Sequence, residues 1–111
     1  MEKEIKFEEL VDLVAKVYKQ TGMVVNFAEG VSELVIDGIG SLDSEKATKI
    51  VAVMKDEGYK EFALADSSSG LMDELFAFTE VGCEISGTVK FNQVSKYGRS
   101  KEVKAIMLTI K

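Results

Sequence analysis

Tyr59-Lys60-Glu61-Phe62-Ala63-Leu64-Ala65-Asp66-Ser67-Ser68-Ser69-Gly70-Leu71-Met72 holds a strand, a loop and the start of a helix. Side chains alternate sides along a strand, so residues 59–66 place Phe62 and Leu64 on one face and Ala63 and Ala65 on the other. Apolar residues on both faces describe a central strand covered on two sides. Ser67-Ser68-Ser69-Gly70 reads as a loop. Residues 71–80 predict a short helix whose apolar side chains, Leu71, Met72, Leu75, Phe76 and Phe78, span more than one face.

Working upstream, residues 44–57 predict a second helix with Asp43 as N-cap, Leu42 stapled against Ala47, and Gly58 as the stop. Its buried stripe is expected to be Ala47, Ile50, Val51 and Met54. Two short strands precede it, one around Met23–Ala28 and one around Glu33–Asp37, with Glu29-Gly30 between them as a hairpin turn would be. Glu33 and Asp37 share a parity, which predicts that this face of the second strand meets water. Residues 5–20 predict the first helix, with Phe7, Leu10, Val11, Val14 and Tyr18 as its apolar stripe and Gly22 as its end. Glu8, Glu9 and Asp12 near its start and Lys16 and Lys19 near its end suit the helix dipole, and Asp12 can pair with Lys16 one turn on.

Downstream, residues 86–95 and 101–110 predict a hairpin around Lys96-Tyr97-Gly98-Arg99-Ser100. Ala105-Ile106-Met107-Leu108 is apolar on both parities, so the last strand also reads as central. The expected fold is one α+β domain over residues 1–111, in the order α-β-β-α-β-α-β-β. It has a five-stranded, mainly antiparallel or mixed sheet and three helices. Two doubly apolar strands call for two covering layers, the second supplied by helix 71–80 or by a second copy of the chain.

Composition narrows the function classes. Hydrophobic residues make up 46% and charged residues 30%, a globular balance. There is no histidine, so a Ser-His-Asp or Cys-His triad and a Cys/His zinc site are excluded. Cys83 is the single cysteine, flanked by Glu80 and Glu84, which oppose thiolate formation; it reads as a spectator thiol of a reducing compartment. Met1-Glu2-Lys3-Glu4 lacks the basic start and apolar stretch of a signal peptide, and no apolar run reaches membrane-spanning length. A cytoplasmic location without membrane contact is expected.

The net charge of −5 is unevenly spread: residues 1–85 balance to −10 and residues 86–111 to +5. Four features offer chemistry. The serine loop before helix 71–80 resembles an anion cradle but lacks a lysine and is ringed by Asp66, Asp73 and Glu74; serines there also serve simply as caps. Asp37, Asp43 and Asp66 sit at strand ends and a helix start, where turn and cap roles account for them and a magnesium site would need them to converge. The basic hairpin, with Lys90, Lys96, Tyr97, Arg99, Lys101 and Lys104, mixes cations with an aromatic ring as nucleic-acid binding requires; lysines also guard sheet edges. The acidic remainder can imitate a phosphate backbone or merely confer solubility.

The expected function is that of a non-enzymatic, macromolecule-binding protein with no cofactor and no metal. In its concrete form it is a small acidic inhibitor of a nucleic-acid-handling enzyme, of the sort phages encode. Leu71, Met72, Leu75 and Phe76 would touch the partner, and a homodimer is compatible. The first alternative is a nucleic-acid-binding module built on the basic hairpin; the second is a carboxylate-dependent enzyme using Asp37, Asp66 or the serine loop.

Overall fold

A computed structural model of the chain describes residues 7–28, 33–39, 42–66, 70–94, 98 and 100–111. The elements are α1 (Phe7–Thr21), β1 (Val25–Phe27), β2 (Val35–Ile39), α2 (Ser44–Asp56), β3 (Glu61–Ala65), α3 (Leu71–Glu80), β4 (Glu84–Val94) and β5 (Ser100–Thr109). The five strands form one mixed sheet in the order β1-β2-β3-β5-β4, so the α+β reading and the element order stand. β1 and β2 are antiparallel, β2 and β3 parallel, and β5 runs antiparallel to both β3 and β4. The central strands are β2, β3 and β5, two of which are the strands with apolar residues on both faces.

The connections explain where the helices lie. α2 joins β2 to the parallel β3, and α3 joins β3 to β4, which is parallel to β3 with β5 returning between them. Both crossovers step the same way across the sheet, and right-handed crossovers then put both helices on one face. A single cluster joins Leu10, Leu13 and Val17 of α1 and Ile50 and Met54 of α2 to Phe78 of α3, over Ile36, Phe62, Leu64 and Leu108 of the sheet. Phe62 and Phe78 meet edge to face, with centroids 4.9 Å apart at 65°, a favoured aromatic geometry. The opposite face carries a second buried cluster of small side chains, Ala28, Val35, Ala63, Ala65, Val103 and Ala105, with Val89 and Met107 packed against it. Helix α3 therefore does not supply a second covering layer; it shares the first with α1 and α2.

Helix ends follow the local chemistry. The Asp43 side chain accepts from the Lys46 N–H at 2.8 Å and caps α2. Beyond α2, Gly58 turns left-handed (φ +91) while its N–H reaches the Lys55 carbonyl and that of Tyr59 reaches Met54. Gly82 (φ +102) repeats the arrangement after α3, its N–H on Thr79 and that of Cys83 on Phe78. Both are Schellman ends, which a residue without Cβ adopts at least cost.

Three expectations about faces are corrected. On α1, Leu10, Leu13 and Val17 are the core residues, whereas Val11 and Tyr18 are exposed and Val14 is half-buried. On α2, Val53 takes the buried place expected of Val51, which is only half-buried. In β2, Val35 lies between Glu33 and Asp37 and is fully buried against Ala63, so that face does not meet water along its length. A bulge after Ile36 lets Asp37 turn outward, since the register passes from Gly38↔Asn26 to Ile36↔Phe27. The turn at Glu29-Gly30 lies outside the described residues.

Candidate functional site

Helix α3 carries two of the exposed large apolar side chains of the helix layer, Met72 and Phe76; Val11 and Tyr18 on α1 are the others among the described residues. Phe78 and Ala77 point into the core, and Leu71 and Leu75 are half-buried against it. Met72 and Phe76, one turn apart on the other side, are 63% and 60% exposed. Four of the residues expected to touch a partner thus split into two that anchor the helix and two that stand free of the core. The helix has acidic residues in its first turn, Asp73 and Glu74, ends on Glu80, and carries no basic residue.

The rotation of α3 follows from one contact. Ser44 Oγ at the start of α2 donates to Glu80 Oε2 at 2.5 Å, so the line of α3 carrying Glu80 turns toward α2. At 100° per residue, Met72, Leu75 and Thr79 then lie on the flank turned away from α2, over the β5–β4 side of the sheet. Glu80 also rests at the positive N-terminal end of α2, a favourable place for a carboxylate.

Glu74 is the one charged side chain buried among the described residues, 1% exposed. Its carboxylate lies over the N-terminus of its own helix: a Cβ at Gly70 would stand 3.3 Å from Oε2. Gly70 leaves the space, and the helix dipole favours the charge there. Nothing in the sequence pattern marks this residue for burial, since it sits among Asp73 and other acids.

Beside α3, the β4–β5 ribbon shows an open face. Lys90 pairs directly with Lys104 across the strands, Thr88 with Ile106 and Ile85 with Leu108. Directly paired residues share a face, and Leu108 belongs to the helix-side core. Ile85, 55% exposed, and the exposed Thr88, Lys90 and Lys104 therefore all lie on the helix side, with half-buried Ile106 among them. Two like charges directly opposite are unfavourable to the ribbon itself. Of the other basic residues expected to act with them, Lys101 lies in β5 opposite Gln93, on the other parity. Lys96, Tyr97 and Arg99 lie outside the described residues. The register that brings Lys90 and Lys104 together, and the exposure of Ile85, had no signal in the spacing.

Among the described residues, the remaining candidates are not brought together. Asp43 is engaged as a cap, while Asp37 at the β2 bulge and Asp66 at the end of β3 are both exposed. Among the described residues no group of three His, Cys, Asp or Glu is placed to hold a metal ion. The serine loop 67–69 lies outside the described residues. Cys83 is buried, and it is burial that pushes its thiol above the usual range, rather than the neighbouring glutamates. Two open clefts of about 290 and 330 Å³ flank the α1–α2 junction and share Glu57. Lys16 bridges them, paired with Asp12 at 2.9 Å and with Glu57, and these partners raise its pKa, Glu57 first. Tyr59 is pushed up by burial first and then by Glu9 and Glu57. These are ion pairs at a helix junction, with no nucleophile beside a base.

A family described as a domain of unknown function, DUF7698, matches residues 27–110. The chain belongs to the DUF7698 family. Its matched region runs from the last residue of β1 through β5, so the DUF7698 match takes in α3 and the β4–β5 ribbon and leaves α1 outside. No curated protein and no solved structure matches the chain. The DUF7698 description assigns no activity. No described helix is long and apolar enough to cross a membrane.

Proposed function

We propose that this protein is a non-enzymatic binding protein that engages another macromolecule through the exposed side of α3. In its concrete form it is a small acidic inhibitor of a nucleic-acid-handling enzyme, acting in the cytoplasm. The observation that carries this reading is the pairing of Met72 and Phe76, each about three-fifths exposed, on a helix that bears only acidic charge. Large apolar side chains held out of the core by a rigid helix are the usual anchors of a protein interface. Acids around them select a basic target and steer its approach. A cleft that handles nucleic acid offers such basic surface.

The test places a photocrosslinking residue at Phe76 and, as control, at exposed Ala52 on α2, in cells of the native source. The expected result is a discrete product with a second protein from position 76, absent from position 52 and lost on adding Met72→Glu. Equal labelling from both positions, or none from position 76, overturns the reading.

The direct Lys90–Lys104 opposition favours a second reading, a nucleic-acid contact on the ribbon. Fluorescence anisotropy with labelled single-stranded DNA, duplex DNA and RNA decides it. Binding that falls steeply with salt and is lost in Lys90→Ala/Lys104→Ala supports the ribbon; no binding at low salt removes it.

A further inference from the structure

We infer that the α3 surface also binds a second copy of this chain, with α3 of each copy seated on the open β4–β5 face of the other. The inference rests on the reading of α3 as an interaction surface and names one occupant for it. Two surfaces on the same side of the sheet are complementary to each other. The first is the outer side of α3, where Met72 and Phe76 stand out beside Asp73, with no basic residue on the helix. The second is the sheet face beside it, where Ile85 and Ile106 form an apolar floor and Lys90 and Lys104 stand directly opposed. β4 is the edge strand, so no sixth strand brings a helix to cover that floor.

The levels along the strands also agree. α3 returns from the end of β3 at Ala65, which pairs with Ala105, toward the start of β3 at Glu61, which pairs with Thr109. The first turn of α3 therefore stands level with Ile106 and the lysine pair, and its last turn level with Ile85. A two-fold arrangement lays the Met72–Phe76 side of each α3 on the partner's apolar floor and brings Asp73, in its first turn, against the partner's two lysines. Such a contact relieves a like-charge pair that is unfavourable in the isolated ribbon, and it is isologous, so it closes at two copies. A basic, apolar target would compete for α3 with this second copy, because both present the same chemistry to it.

The experiment is sedimentation equilibrium of the full chain over a wide concentration range, at low and high salt. The expected mass approaches twice the 12.2 kDa of one chain at high concentration and low salt. Salt should weaken the association, because ion pairs at its rim are screened. Phe76→Asp should return the monomer mass with an unchanged circular dichroism spectrum. Lys90→Glu/Lys104→Glu should weaken the dimer at least tenfold, and adding Asp73→Lys to that variant should recover part of the loss. A folded monomer at every concentration overturns the inference, as does a dimer indifferent to all these changes. A monomer that still gives the crosslinked product from position 76 sinks the dimer alone. A dimer without that product supports the inference while removing the separate target.

Discussion

Two phenylalanines two residues apart on α3 give the sharpest test of how the helix is turned. Phe78 is fully buried and packs edge to face on Phe62, whereas Phe76 is 60% exposed. Truncating a buried phenylalanine to alanine costs about 3–5 kcal/mol, through lost transfer energy and the cavity left behind. The ring pair adds about 0.5–1.5 kcal/mol to what Phe78 contributes, so Phe78→Ala belongs at the upper end of that range. With a urea slope of roughly 1.5 kcal/mol/M, a loss of about 4.5 kcal/mol moves the unfolding midpoint down by about 3 M. Phe76→Ala removes the same atoms from a side chain that is mostly in water and should move the midpoint by less than about 0.3 M. The assay is urea unfolding followed by circular dichroism, at protein concentrations low enough that self-association does not contribute. Phe78→Leu, which keeps most of the volume and should cost about 1.5 kcal/mol or less, remains measurable if Phe78→Ala does not fold. Similar midpoint shifts for the two alanine variants would refute the orientation of α3, and with it the surface on which binding is argued.

Two further predictions concern stability. Asp43→Ala should cost about 1 kcal/mol, read as a lower melting temperature, because the Lys46 N–H loses its acceptor; Asp43→Asn should retain most of it. Burial raises the Cys83 thiol above its unfolded value, so its contribution is complete below that value, about 8.5, and falls as the unfolded chain ionises first at higher pH. Tyr59 is raised too and adds a loss in the same direction at higher pH. Stability should therefore decline on the alkaline side, and Cys83→Ala should remove the part that begins near the thiol value. An unchanged slope in that variant between neutral and moderately alkaline pH would contradict the burial of Cys83.

Much of this protein is written locally. Asp43 before an apolar-periodic run, glycines at 22 and 58, and the alternation of Phe62-Ala63-Leu64-Ala65 all act within a few residues, and each produces the expected cap, stop or central strand. The span 71–80 and its multi-sided apolar character were legible for the same reason. Leu71, Met72, Leu75 and Phe76 were expected together on one contact surface; that Leu71 and Leu75 pack against the core while Met72 and Phe76 stand exposed was not legible.

The tertiary structure decided what local periodicity leaves degenerate. α1 bears two overlapping stripes, one through Val11, Val14 and Tyr18 and one through Leu10, Leu13 and Val17, and only the position of the sheet beneath it selects the second. The placement of α3 on the same face as α1 and α2 follows from two right-handed crossovers stepping the same way, a property of connected strands rather than of any helix. A loop of residues 96–100 sets Lys90 opposite Ile106 by counting; the register observed sets it opposite Lys104, two residues along β5. Helix caps and strand alternation are decided by neighbours in the chain, and one sequence therefore determines them by itself. Which stripe is buried, which face a crossover helix covers and which lysines oppose each other depend on partners distant in sequence, so only the assembled sheet could choose among them.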